Sequence, residues 1–155
     1  MAETKDKHVK VLFRFFSDLL DEWTVETMWT EIIDKEKGIY KLDSIPFYAK
    51  SLALSDIIFA EYDEDEQFLT YRETIEYSGN STIQVVVLDN SKETNFIRDI
   101  FTQLGCSSEK FKEGYFVIDI PAKTDYLRIK QKLKELSDKK IIDFAESCLS
   151  ENHRH

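Results

Sequence analysis

The hydrophobic pattern changes period at Ser78-Gly79-Asn80, and no other feature of these 155 residues constrains the fold as much. Before that point, short apolar runs alternate with polar residues at a period of two, the mark of half-buried strands. After it, strand-like runs alternate with stretches at helical spacing. The chain therefore divides into a β-rich module, 8–78, and an α+β module, 79–150, with disordered tails expected over 1–7 and 151–155. A link as short as Ser-Gly-Asn predicts modules packed closely together, since a free tether needs a longer polar segment.

In the first module, Val9, Val11, Phe13 and Phe15 fall on one side of a strand and Lys10 and Arg14 on the other. Val25 to Ile33 and Gly38 to Leu42 flank a polar turn and predict a hairpin. Met28, Ile32 and Ile33 have partial helical spacing, but Thr24, Thr27, Trp29 and Thr30 favour extended structure. Pro46 removes an amide donor and holds Ile45 extended, so 42–49 predicts an ordered loop. Two more strands, 56–62 and 67–77, complete a small barrel-like sheet.

In the second module, Ile83 to Leu88 predicts a central strand. A helix capped by Asp89-Asn90-Ser91 follows, with Ile97, Ile100, Phe101 and Leu104 on one side and Gly105 as its stop. A hairpin (106–111 and 115–120), a helix (125–136) and a last strand (141–148) complete the order βαββαβ, that of a ferredoxin-like fold. The fold class is α+β, a small β-rich barrel-like module followed by a ferredoxin-like one. That topology puts its second and fourth strands at opposite edges, so Cys106 and Cys148 should be too far apart for a disulfide.

Charge is distributed as unevenly as periodicity. Residues 1–79 carry 9 Lys and Arg against 18 Asp and Glu, whereas 80–155 carry 12 of each, so the net charge of -9 belongs to the first module. An acidic chain is poorly suited to non-specific nucleic-acid binding, which depends on cations displacing counterions from phosphates. No apolar run is long enough to span a bilayer, and the charged start carries no signal-peptide core, so a cytoplasmic location without membrane association is expected.

The segments Leu42-Asp43-Ser44-Ile45-Pro46-Phe47-Tyr48-Ala49, Leu54-Ser55-Asp56-Ile57-Ile58-Phe59-Ala60-Glu61 and Ser78-Gly79-Asn80-Ser81-Thr82 resemble an uncharacterised bacterial family, a domain of unknown function. The similarity runs from about His8 to Leu149, ending in Asp143-Phe144-Ala145-Glu146-Ser147-Cys148-Leu149. It implies a shared fold and a bacterial source. It brings no established activity, so no functional residue is carried over.

The residue types that carry common chemistries are sparse. The histidines are His8, His153 and His155, one beginning a strand and two in the expected tail, which argues against a His-dependent nucleophile or a zinc site. Four glycines and no phosphate-binding loop disfavour nucleotide chemistry. Glu61-Tyr62-Asp63-Glu64-Asp65-Glu66 lacks the ligand spacing and turn glycine of a calcium loop and reads as a solvated hairpin tip. For RNA recognition through the second sheet, Tyr115 has Val117 and Asp119 as its same-face neighbours, and Gln84 stands where a second stacking aromatic is needed. Neither a catalytic residue, a metal ligand nor a cofactor is assigned. Lys123, Arg128, Lys130, Lys132, Lys134, Lys139 and Lys140 form a basic stripe that reads as a solvated helix face. Trp23, Trp29, Phe47 and Tyr48 form the densest aromatic region, expected in the core with Tyr48 the one exposed.

A non-catalytic protein-binding module satisfies these observations best. In its concrete form it is a bacterial immunity or antitoxin-like inhibitor presenting Asp18, Asp21, Glu22, Tyr48, Glu61, Asp63, Glu64, Asp65 and Glu66 to a basic protein partner. The alternative is an RNA- or ribosome-associated regulator acting through the second module, although nucleic acid is the less expected partner.

Overall fold

The computed structural model of the chain describes residues 7–154, so all of the expected N-terminal tail except Lys7, and His155 at the other end, lie outside the described residues. Five strands, β1 (His8–Ser17), β2 (Glu22–Asp34), β3 (Ile39–Leu42), β4 (Ile57–Asp63) and β5 (Phe68–Glu76), close into a barrel. Consecutive strands pair antiparallel, and β1 meets β5 in parallel at Leu12 and Thr70. Alternate residues turn inward, as a period of two requires. Val11, Phe13, Met28, Tyr40, Leu42, Ile58 and Ala60 fill the interior. Gly38 turns β2 into β3 at φ +72°, where a Cβ would lie 2.7 Å from the Ala60 carbonyl oxygen, so the position demands glycine.

The second half contains β6 (Ser81–Val87), α1 (Thr94–Gln103), β7 (Ser107–Lys112), β8 (Tyr115–Ile120), α2 (Tyr126–Asp138) and β9 (Ile142–Cys148). Its strands lie side by side as β7-β8-β6-β9, each antiparallel to its neighbours. Cys106 and Cys148 belong to opposite sides of this sheet and are both free thiols. Ile83, Val85, Phe116 and Ile118 pack beneath Ile97 and Phe101 of α1 and Ile129 and Leu133 of α2. Among the described residues the fold is thus mixed α+β, mostly strand, with two largely antiparallel sheets and two α-helices.

Two local expectations are corrected. The first concerns the cap of α1, which is not at Asp89-Asn90-Ser91, where Asp89 instead closes a local turn onto Ser91. The helix starts at Thr94, whose amide donates to Glu113 Oε2 (2.9 Å) in the β7–β8 turn, while the Gly114 amide donates to Thr94 Oγ1 (2.6 Å). A carboxylate distant in sequence thus satisfies an open amide of the first turn. The second concerns the C-terminal tail, where Glu151–His153 forms a 3₁₀ turn and buries the His153 ring against Ser81 and Pro121.

The face of the second sheet turned away from the helices is covered by the barrel's own β3–β4 connection, residues 43–56. Ile45, Phe47 and Tyr48 pack on Tyr115, Val117 and Val86. Backbone carbonyls of the connection take the sheet's polar groups: Phe47 accepts from Gln84 Nε2 (3.1 Å) and the Tyr115 hydroxyl, and Leu52 accepts from Thr82 Oγ1 (2.9 Å). The Ser51 amide donates to the Ser147 carbonyl (2.9 Å), and Asn80 Nδ2 donates to the Leu54 carbonyl (3.1 Å). Glu26 of β2 holds the connection from the barrel side. One carboxylate oxygen accepts from Phe47 N (2.7 Å) and the other from Tyr48 N (3.1 Å) and Ala49 N (3.0 Å).

Candidate binding surface

The carboxylates singled out in the sequence fall into two groups. Arg72 of β5 binds Glu61 (3.0 Å) and Asp63 (2.9 Å) together, and Arg14 of β1 reaches Glu66 (3.5 Å). Asp63 also accepts the Asp65 and Glu66 amides, and with Arg72 these hold its carboxyl below the usual aspartate range. Within this run, only Glu64 and Asp65 are exposed and form no ion pair among the described residues. At the β1–β2 turn, Asp18 pairs with Lys50, while Asp21 and Glu22 are exposed and unpaired among the described residues.

The aromatic residues are arranged differently from expectation. Tyr48 is half-buried, stacked on Tyr115 with ring centres 5.3 Å apart and edge-on to Phe111 at 5.4 Å. Conversely, Trp23 is 63% and Trp29 50% exposed. Both lie on the outer side of β2 with Val25, because the alternation that sends Met28 and Thr30 inward sends them outward. Strand pairing sets Lys10 opposite Trp29, Arg14 opposite Val25 and Phe16 opposite Trp23. The Lys10 ammonium lies 5.1 Å from the Trp29 ring centre, and the Arg14 guanidinium 6.0 Å from that of Trp23. This outer stripe runs into the acidic β1–β2 turn.

Beside the stripe, a cleft of about 450 Å³ opens between β2, the 44–48 segment and β7. Trp29, Phe47, Tyr48 and Phe111 line it with Lys10, Glu26 and Glu109.

Three other groupings are buried or internally paired among the described residues. Ser81 and His153 form a serine–histidine pair, Oγ to Nδ1 2.6 Å, with Nε2 3.0 Å from the Pro121 carbonyl. Since a carbonyl only accepts, Nε2 donates to Pro121, and in the neutral ring this leaves Nδ1 to accept from the Ser81 hydroxyl. The orientation suits a general base, but Ser81 is fully buried and His153 nearly so, and a substrate has no path to the hydroxyl. The sheet face considered for RNA is covered: Tyr115 is buried, Gln84 is bonded to Phe47, and Asp119 is buried. On α2, Lys130 binds Glu146 (2.7 Å), and Lys132 and Lys139 both reach Glu135. Among the described residues no group of three or more His, Cys, Asp or Glu side chains is placed to hold a metal ion, and no helix is long and apolar enough to cross a membrane.

Residues 26–144 match the family described as domain of unknown function DUF4265. The chain belongs to that family. The family's span includes Glu26, Trp29, Tyr48, Glu109 and Phe111 of the cleft, and leaves Asp18, Asp21, Glu22 and Trp23 on its N-terminal side and His153 beyond its end. A solved structure described as a novel crystal structure of a hypothetical protein from Neisseria gonorrhoeae is similar at 27% identity and a TM-score of 0.77, over 91% of this chain and 94% of that one. No curated protein matches.

Proposed function

We propose that this DUF4265 member is a non-catalytic binding module that engages a basic protein partner in the cytoplasm through the outer face of β2 and the acidic turn adjoining it. One observation carries the proposal: Trp23, Val25 and Trp29 are exposed in a row on β2, ending at Asp21 and Glu22, which are exposed and form no ion pair among the described residues. Large aromatic residues with charged neighbours are the usual anchors of protein interfaces. The acidic residues nominated from the sequence then divide. Asp18, Asp21 and Glu22 border the aromatic row, Glu64 and Asp65 supply further charge that forms no ion pair among the described residues, and Glu61, Asp63 and Glu66 serve mainly to bind Arg72 and Arg14. An immunity or antitoxin-like inhibitor, whose carboxylates oppose a basic toxin, is the concrete form of this function. The same proposal takes the barrel as the binding module and the ferredoxin-like βαββαβ half as its support, a fold assignment supported by the strand order β7-β8-β6-β9.

The test is retention of basic proteins on immobilised full-length chain. Reversing Asp18, Asp21 and Glu22 to lysine is expected to weaken retention and its salt dependence, and Trp23→Ala to weaken it at all salt concentrations. Retention unchanged in both variants would overturn the proposal. RNA crosslinked to residues 123–140 in cells would support the alternative instead.

A further inference from the structure

The cleft between β2 and β7 has the size of a pocket for one large side chain or a small ligand. Its walls are unusually aromatic. Phe111 meets Phe47 edge-on at 5.0 Å and Tyr48 at 5.4 Å, which holds the inner rings in place. Trp29 and Phe111 keep about half their surface open to solvent, 50% and 48%. Aromatic faces carry partial negative charge and attract cations within about 6 Å. Two carboxylates join them. Glu26 has its oxygens engaged by the Phe47, Tyr48 and Ala49 amides, whereas Glu109 is exposed and forms no ion pair among the described residues. Lys10, the one cation in the lining among the described residues, has its ammonium at the Trp29 ring, an internal example of what that ring attracts.

We infer that this cleft receives an arginine side chain of the partner, its guanidinium lying on the open faces of Trp29 and Phe111 and its charge met by Glu109. Arginine fits better than lysine. A guanidinium is flat, weakly hydrated and able to stack while bonding a carboxylate through two nitrogens, whereas an ammonium is compact and holds its water tightly. Lys10 is then a competitor at Trp29, not a helper. The inference rests on the basic partner proposed above and names the contact that would recognise it.

The experiment uses the full chain carrying Trp23→Phe, which leaves Trp29 as its sole tryptophan. The probes are an acetylated, amidated Gly-Arg-Gly-Arg-Gly peptide and its lysine and citrulline counterparts, followed by Trp29 fluorescence. The arginine peptide is expected to give a saturable change, with the citrulline peptide weaker by about tenfold, as loss of the cation requires. Glu109→Gln should weaken arginine binding several-fold, and Lys10→Gln should strengthen it. Equal binding of the arginine and citrulline peptides, or titrations unaltered by both substitutions, would overturn the inference. Phe111→Ala, checked for folding by circular dichroism, adds a third arm in which binding should fall. The two proposals fail separately: a basic protein retained by the chain while the arginine peptide ignores the cleft removes only the cleft. Arginine bound at the cleft while no basic protein is retained removes only the functional assignment.

Discussion

Asp119 of β8 and Asp56 at the foot of β4 bring two buried carboxyl groups into the joint between sheet and barrel, and only Asp56 is fully supplied with donors. Asp56 accepts from the Ala53 amide (3.0 Å) and the Ser78 amide (2.8 Å), whereas Asp119 Oδ1 is buried without a hydrogen-bond partner among the described residues. Beside Asp119 in the ladder lies Thr82, whose hydroxyl is committed to the Leu52 carbonyl. Burial, and secondarily the charge of Asp56, push Asp119 up to about 7.

Stability should therefore depend on pH in a range where ordinary carboxyl groups no longer titrate. With its native pKa above its unfolded value, Asp119 keeps a proton in the folded chain that the unfolded chain releases. The contribution is fully favourable below the ordinary carboxyl range near pH 4 and is lost as pH rises through about 7. Denaturation by urea between pH 5 and 7 should show stability falling with a slope of at most about 1.4 kcal/mol per pH unit. Asp119→Asn should flatten that slope, and a slope the same in both proteins would exclude Asp119 as its source.

Glu26 is expected to be the most costly single carboxylate to remove. Glu26→Ala leaves the Phe47, Tyr48 and Ala49 amides without their acceptor, a loss of about 2–4 kcal/mol from charge-assisted bonds in a partly buried setting. Glu26→Gln keeps one acceptor oxygen and should cost less. Urea midpoints of the two variants, compared with the unaltered chain, check the order.

Ser81 and His153 should act in folding and not in hydrolysis. His153→Ala strips a buried partner from Ser81 and from the Pro121 carbonyl and is expected to cost about 3 kcal/mol. A fluorophosphonate probe should leave Ser81 unlabelled in the native chain, because its hydroxyl is fully buried. Mass spectrometry of the probed protein reads this directly, and labelling of the folded chain at Ser81 would reopen the catalytic reading.

Both thiols should resist alkylation until the chain unfolds. Burial, helped by Asp119, pushes Cys106 up to about 12, and burial with Asp56 pushes Cys148 up to about 11. At pH 8 the reactive thiolate is therefore scarce at both positions. Iodoacetamide incorporation should follow the urea unfolding curve, and rapid labelling of native protein would contradict this environment.

The strands were readable because each carries its own signal. Val9, Val11, Phe13 and Phe15 fall on one side of β1 with Lys10 and Arg14 on the other, and Tyr115–Ile120 is bounded by a turn glycine and Pro121. What escaped depends on residues far apart in the chain. Glu113 caps α1 across the sheet, and His153 is buried only because Ser81 and Pro121 converge on it. Trp23 and Trp29 sit outward with Val25 through the period of two along β2, whereas the average burial of large aromatics predicts a core position. The cleft had no sequence signal, since Trp29, Tyr48 and Phe111 meet only through the packing of barrel against sheet.

The 43–56 connection also bears on how such a chain can be inherited or engineered. Ile45, Phe47 and Tyr48 belong to the barrel by sequence and to the sheet by contact, so the seam at Ser78-Gly79-Asn80 is no clean boundary for recombination. A fragment cut there would carry a sheet without its lid, exposing Val117 and Tyr115 to water. The halves are not interchangeable cassettes, and a graft of either would have to bring that connection with it.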